Sequence, residues 1–246
     1  VLAGIGILGA FLGNGLSFLL SFCFLWAIKV DLKPSPVPGK RNQWEQMREG
    51  LAYLLDNQAK GALLFIFCLS NFFLAPVMLF IPMIVKFLLQ YSVSWVAVME
   101  GSLALGALAV TLILSCFPGL NRGSVYQKLF LSGVLMGAMV LVMAWIPSGP
   151  AISCALFIFG LALGFDGTVV QATFQQAVPN EMKGRFFSLA SAASFAIIPV
   201  AFAFNGLVTQ YFSLPLVIAV DGLAIVIISA AFLFIPRVPE IIEGGS

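Results

Sequence analysis

Three acids stand inside long apolar runs of this 246-residue chain: Glu100 in WVAVMEGSLALG, Asp166 in IFGLALGFDGTVV and Asp221 in PLVIAVDGLAIV. A carboxyl in such surroundings either carries a proton or cation, or hydrogen-bonds to another buried group. Removal from water favours its neutral form, and a group that loads a proton in one environment and releases it in another can couple proton flow to work. The chain contains no histidine, the residue that titrates most readily near neutrality, so proton chemistry falls to carboxylates. An ionisable group near a bilayer centre costs roughly 2.5 to 3.5 kcal/mol on insertion scales, so its retention points to function or to pairing. Asp166 is nearest the middle of its run and is the first candidate for coupling or substrate contact, with a structural hydrogen bond as the alternative. Glu100 and Asp221 fall within about two turns of a helix end, where water reaches them at lower cost, and the structural reading leads for both.

Polar residues extend this set. Asn71 sits in an apolar stretch, either facing a substrate or bonding a neighbouring helix. Beyond Asp166, positions 164, 168, 171 and 175 share a helical face that is small or polar, so Thr168 and Gln171 are expected at a cavity or a helix contact. The segment VPNEMKGR reads as a short turn: Gly184 tolerates a left-handed backbone, Glu181 offers an acid to a base, and Arg185 can bond helix ends or a carboxylate. The same residues read equally well as a positive loop that fixes orientation. Cys23, Cys68, Cys116 and Cys154 fall in separate runs without CxxC spacing, which argues against a disulfide framework or a zinc site. With no histidine, metal cluster or nucleophile beside a base, an enzyme is not expected. Nor is a metal, a cofactor or a nucleic-acid partner.

The elements that must position these residues are membrane helices. The composition is 61% hydrophobic and 9% charged, with mean hydropathy +1.08, outside the soluble range. Apolar runs long enough to cross about 30 Å of hydrocarbon predict spans near 8–28, 61–85, 96–116, 127–146, 151–178, 186–207 and 215–236, with Val1 to Ile7 left open as the tail of an earlier span. Seven spans divide the connections into two alternating sets. Eleven of the twelve Lys and Arg residues fall in one set and only Lys86 in the other, which makes the first set cytoplasmic and places the C-terminal tail, 237–246, inside. Trp26, Trp95, Trp145, Tyr91, Tyr126 and Tyr211 lie at or close to predicted helix ends, as interfacial rings should.

The 29–60 segment carries ten of the 22 charged residues. After an extended PSPVPGKR stretch, Asn42 and Glu45 suit a capping box, and Trp44, Met47, Leu51, Leu54 and Leu55 recur at helical spacing, predicting a helix from about Asn42 to Asp56 on the cytoplasmic membrane face. Gly9 with Gly13, Gly133 with Gly137 and Gly160 with Gly164 form pairs that let helices approach closely, read here as ordinary packing. Pro76, Pro82 and Pro199 lie inside spans and should bend them.

A long cytoplasmic loop one helix from the start, with six helices after it, resembles the join between the two six-helix halves of a major facilitator superfamily transporter. GAFLGNGLSFLLSF resembles the sixth helix of the branch that contains macrolide efflux proteins and the enterobactin exporter. REGLAYLLDN with NFFLAPVMLFIP resembles its loop helix and seventh helix, VAVMEGSLALGAL its eighth, and QQAVPNEMKGRFFSL the Q-x-x-V-P-x-E-x-x-G-R-x-x-S-L run between its tenth and eleventh. The resemblance implies four parts: residues 1–28 as the last helix of a first half, 29–60 as a linker, 61–236 as the six-helix second half, and a tail. It further implies that five helices precede this sequence and that the fragment does not transport unaided.

By the same resemblance Pro179, Glu181, Gly184 and Arg185 belong to a cytoplasmic gate, and the protein is an exporter of a drug, macrolide or siderophore by proton antiport in a bacterial inner membrane. Its partners are then the bilayer, a small-molecule substrate, a proton or other coupling ion, and the missing half. Relatives in that branch often carry Asn where this chain has Asp166. The rival is a seven-helix receptor or another non-transport membrane protein; a retinal protein needs a lysine within its last span, which has none. A channel would show a ring of charge or a filter-like stretch, and neither is visible.

Overall fold

The computed structural model describes residues 2–27, 58–117, 125–177 and 180–231. The predicted surface helix near 42–56, Pro179 and the tail 237–246 lie outside the described residues. Those described are α-helical, with short turns, one π-helical turn and no strand.

Helix α1, Leu2–Ala27, has 26 residues and at 1.5 Å per residue is about 39 Å long, ample for a crossing. Residues 2–7, left open by the sequence, belong to this same helix. It is a unit by itself. The second unit holds α2 (Gln58–Leu74), α3 (Pro76–Met83) with the π turn Ile84–Leu88, α4 (Ser94–Cys116), α5 (Val125–Trp145), α6 (Gly149–Ala177), α7 (Asn180–Tyr211) and α8 (Leu214–Ala231). Among the described residues five stretches are long and apolar enough to span a bilayer, and two shorter ones, Phe11–Ala27 and Leu214–Ala230, bring the set to seven. The protein is a helical membrane bundle.

Prolines shape the first of the six spans. Pro76 has no N–H, so the regular helix breaks at Ala75, whose N–H still reaches the Asn71 carbonyl at 3.0 Å. Pro82 lies inside α3, where its ring crowds the carbonyl four residues back. The chain then widens into the π turn, with the Leu89 N–H on the Ile84 carbonyl at 2.9 Å, a local remedy for a strained ladder. Gln90, at φ 55°, closes the segment in the left-handed region.

One contiguous apolar core joins Phe80, Ile81 and Ile84 to Met99 of α4, Val140 and Met143 of α5, Leu156 and Phe159 of α6, and Ile218 and Ile225 of α8. Two helix pairs are held at backbone range. A Cβ on Gly106 would collide with the Phe157 carbonyl oxygen, and one on Gly160 with the Leu103 carbonyl oxygen, so α4 and α6 touch main chain to main chain. A Cβ on Gly137 would lie 2.7 Å from the Gly222 carbonyl oxygen and 2.6 Å from Val226 Cγ2, which sets α5 equally close to α8. Gly137 and Gly160 belong to the small-residue pairs read from sequence as packing, Gly106 and Gly222 do not, and of the remaining pair Gly13 meets nothing within 4 Å. Helix α7 differs: of its residues with described side chains only Ala201 and Asn205 are buried.

Candidate functional site

Asp166 is the centre of the polar geometry. Helix α6 carries it against α5, where the Ser132 hydroxyl donates to Asp166 Oδ1 at 2.9 Å. Ser132 Oγ also lies 3.0 Å from the Leu129 carbonyl oxygen, one turn back on its own helix. A hydroxyl owns one proton and can satisfy one of these acceptors at a time. If Asp166 is itself protonated, its O–H donates to Ser132 Oγ while Ser132 donates to Leu129, and every group in the chain is served. Ser132 is buried and Asp166 half-buried. Ser132 also lines a cavity of about 260 Å³ bounded by α4, α5 and α6.

The other residues singled out on α6 do not join Asp166. Two positions apart on a helix is about 200°, so Asp166 and the Gly164 face point to opposite sides. Gly164 meets Ala107 and Val110 of α4. Thr168 turns its hydroxyl back to the Gly164 carbonyl at 2.8 Å, the usual retreat of a helical threonine. Gln171 and Gln175 are exposed. The face that carries Gly164 is therefore a surface separate from Asp166, and at Gly164 it is the helix contact that was one of its two expected roles. Asn71 on α2 donates to the Phe67 carbonyl at 2.9 Å, and Glu100 on α4 is exposed.

Asp221 is buried, 2% exposed, and its Oδ2 has no hydrogen-bond partner. Asn205 of α7, not singled out from the sequence, is 1% exposed; its Nδ2 donates to the Ala201 carbonyl at 3.2 Å while its Oδ1 is unpartnered. Both lie about 9 to 10 Å along the helix from the turn that joins α7 to α8. Asn205 and Ser132 each stand in the sequence as an uncharged polar residue within an apolar run, a weaker signal than an acid at the same depth.

From Asn180 onward the VPNEMKGR segment is helix, not the short turn expected. Helix begins at Asn180, so Glu181, Gly184 and Arg185 are helical. Asn180 and Glu181 suit a first turn, as N-terminal polar and acidic residues do. Gly184 is exposed, has no left-handed backbone, and a Cβ there would meet nothing within 4 Å. The left-handed role expected of it is thus corrected. The side chains of Glu181 and Arg185 lie outside those described.

The family described as transmembrane secretion effector, within the major facilitator superfamily, matches residues 1–244. Macrolide efflux protein A of Streptococcus pyogenes is 28% identical over 170 residues, which covers 66% of this chain and 40% of that protein. Macrolide efflux protein A of the serotype M6 strain matches to the same extent. The matched part is well under half of each relative. No solved structure matches.

Proposed function

Because the chain belongs to the transmembrane secretion effector family of the major facilitator superfamily, we propose that it forms the second half, with the preceding helix, of a proton-driven exporter of hydrophobic or amphipathic small molecules. Drugs, macrolides and siderophores are the substrate class. Two helical halves exposing one site alternately to each side of the membrane provide the mechanism. The side bearing 11 of the 12 basic residues is cytoplasmic, as the positive-inside rule requires, and the membrane is a bacterial plasma membrane.

Coupling is assigned to Asp166, and the observation that carries it is the Asp166–Ser132–Leu129 chain of acceptors around a single hydroxyl proton. Ionised, Asp166 accepts from Ser132; protonated, it can donate to Ser132 Oγ while Ser132 donates to Leu129, so the pair can be satisfied with or without the proton that Asp166 would load and release. Opening α5 from α6 would admit water and release that proton. Glu181 and Arg185, at the start of α7, are placed in the cytoplasmic gate, where Arg185 would meet a carboxylate of the facing half.

The test uses the full-length protein in vesicles with an imposed pH gradient and a macrolide probe. Asp166→Asn, which can donate to Ser132 but cannot release a proton, is expected to abolish gradient-driven export while binding of the probe persists. Export unchanged by this substitution would remove Asp166 from the coupling step.

A further inference from the structure

We propose that Asp221 carries a bound proton and that Asn205 is its acceptor, so that one proton clasps α7 to α8. Among the described residues three buried side-chain atoms have no hydrogen-bond partner: Ser153 Oγ, Asn205 Oδ1 and Asp221 Oδ2. The last two belong to consecutive helices joined by the turn after Tyr211. Asn205 is six residues before the end of α7 and Asp221 seven after the start of α8, about 9 and 10.5 Å along their axes, so both lie in one layer. Their faces also agree. On α8, Gly222 and Val226 meet Gly137 of α5, and Asp221 stands about 100° around the helix from Gly222, in line with buried Val217 and Ile225. The helices left to cover that line are α2, α3 and α7, which all pack on α8. On α7, Ala201 and Asn205 mark the face turned to the bundle, and the helices that pack on α7 are α2, α3 and α8. The rings of Phe72 on α2 and Phe204 on α7 lie 5.5 Å apart, which puts α2 beside Asn205. The two orphan oxygens therefore turn into the same interior.

Ionised, the pair would set two acceptors together without a proton, and a carboxylate away from water needs a partner to offset its lost hydration. Among the described residues no cation on the packed helices supplies one. Lys128 lies nine residues from Gly137 on α5, about 13.5 Å along the axis from the level where Gly137 meets Gly222. Lys183 is 22 residues before Asn205 on α7, about 33 Å along that helix. Lys86 is exposed, with its ammonium 5.2 Å from the centre of the Phe87 ring. The uncharged titratable groups stay clear as well: Cys68 is a turn before Phe72 on α2, and Tyr211 is exposed at the end of α7. Protonated, Asp221 has an O–H to donate and Asn205 Oδ1 has lone pairs without a donor, so each supplies what the other lacks. The Asn205 amide has slack for this, since its Nδ2 reaches the Ala201 carbonyl only at 3.2 Å, the long end of the hydrogen-bond range. Of the described side chains of α7 only those of Ala201 and Asn205 are buried. Drawing α7 away from α8 would therefore part the two residues, admit water and free the proton. Asp166 lies 17 residues into α6, about 25 Å from its start, and α6 starts on the side of the membrane where α7 ends. The clasp is thus a second proton site at another depth.

The test reads the proton itself, because a hydrogen bond between membrane helices adds little to stability. Infrared absorption of the purified full-length protein at neutral pH is expected to show a protonated-carboxyl band that Asp221→Asn removes and Asp166→Asn retains. Asn205→Leu, a change of similar volume, is expected to keep that band and raise its frequency, as loss of a hydrogen bond does. Circular dichroism confirms helix content in each variant. Should Asp221→Asn not fold, aspartate labelled with carbon-13 in its carboxyl is incorporated into Asp166→Asn, which leaves Asp221 the one aspartate within a span. The band should then move to lower frequency. A spectrum unchanged by Asp221→Asn, or no band moved by the label, would show the carboxyl ionised and overturn the proposal. A band that Asn205→Leu leaves at its wild-type frequency would overturn it too, since the proton would then not be shared with Asn205. None of these readouts requires transport, so their failure leaves the export reading standing, and loss of export with the Asp221 band unchanged strikes that reading alone.

Discussion

Gly160 and Gly167 lie two turns apart on α6 and should respond oppositely to the same substitution. A methyl on Gly160 would collide with the Leu103 carbonyl oxygen and lie 3.0 Å from its carbon and 3.1 Å from the Ala107 nitrogen. These are main-chain atoms of a facing helix, so no rotamer change relieves the contact and α4 must move away from α6. Overpacking of this kind costs about 1 to 3 kcal/mol. The upper part of that range applies here because Gly106, on the same interface, is equally close to Phe157 and cannot take up the shift. A methyl on Gly167 would meet nothing within 4 Å, and replacing a mid-helix glycine by alanine gains up to about 1 kcal/mol. The two variants should therefore differ by about 2 to 4 kcal/mol. Thermal unfolding of the purified protein, followed by the reactivity of Cys68, which is half-buried on α2, would report the order Gly167→Ala, wild type, Gly160→Ala. Equal midpoints for the two variants would refute the backbone contact between α4 and α6.

A double-mutant cycle on Ser132→Ala and Asp166→Asn should give a coupling of about 0.6 kcal/mol and no more than about 1.7, the range found for hydrogen bonds between membrane helices; additivity would mean the two side chains do not interact. Asp221→Leu should leave stability unchanged or raise it, since it removes a buried carboxyl oxygen without a partner in favour of apolar volume; a loss above about 1 kcal/mol would reveal a bonded partner. A cysteine placed at Gln46 should react with an impermeant thiol reagent only after cells are opened, if the six Lys and Arg residues of the 29–60 segment keep it on the cytoplasmic side as the positive-inside rule expects. Labelling from outside would invert the whole topology.

The spans were legible because crossing hydrocarbon imposes a length and an apolar composition that survive any packing arrangement. Where the reading fell short, it lacked information held by another helix. Asp166 stood out by type and depth, but its partner Ser132 is 34 positions away and one serine among many in apolar runs. Gly133, Gly137, Gly160 and Gly164 announced close contacts through their spacing. Gly106 did not, because its importance comes from Phe157 and Leu161 across the interface and not from a second glycine on α4. Gly164 makes a helix contact of the kind its face was expected to make, while Asp166, two residues on, points about 200° away around the helix, so the two do not form one site. VPNEMKGR reads as a turn on its Pro, Gly and charges, yet an exposed glycine costs a helix only about 1 kcal/mol, too little to halt the helix that runs on from Asn180.

The meeting of Gly137 with Gly222 also sets a schedule for biogenesis. Helix α5 leaves the ribosome well before α8 exists, and the two glycines are some 85 residues apart, a wait of about 4 to 17 s at ordinary translation rates of about 5 to 20 residues per second. Throughout that interval the groove around Gly133 and Gly137 faces the insertion machinery or lipid with its proper tenant not yet made. Small residues there let another helix backbone approach closely, so an earlier helix of the same chain can lodge there first. A slower stretch of translation before α8 would lengthen that window and lower the yield of correctly assembled protein without changing a single contact in the finished bundle.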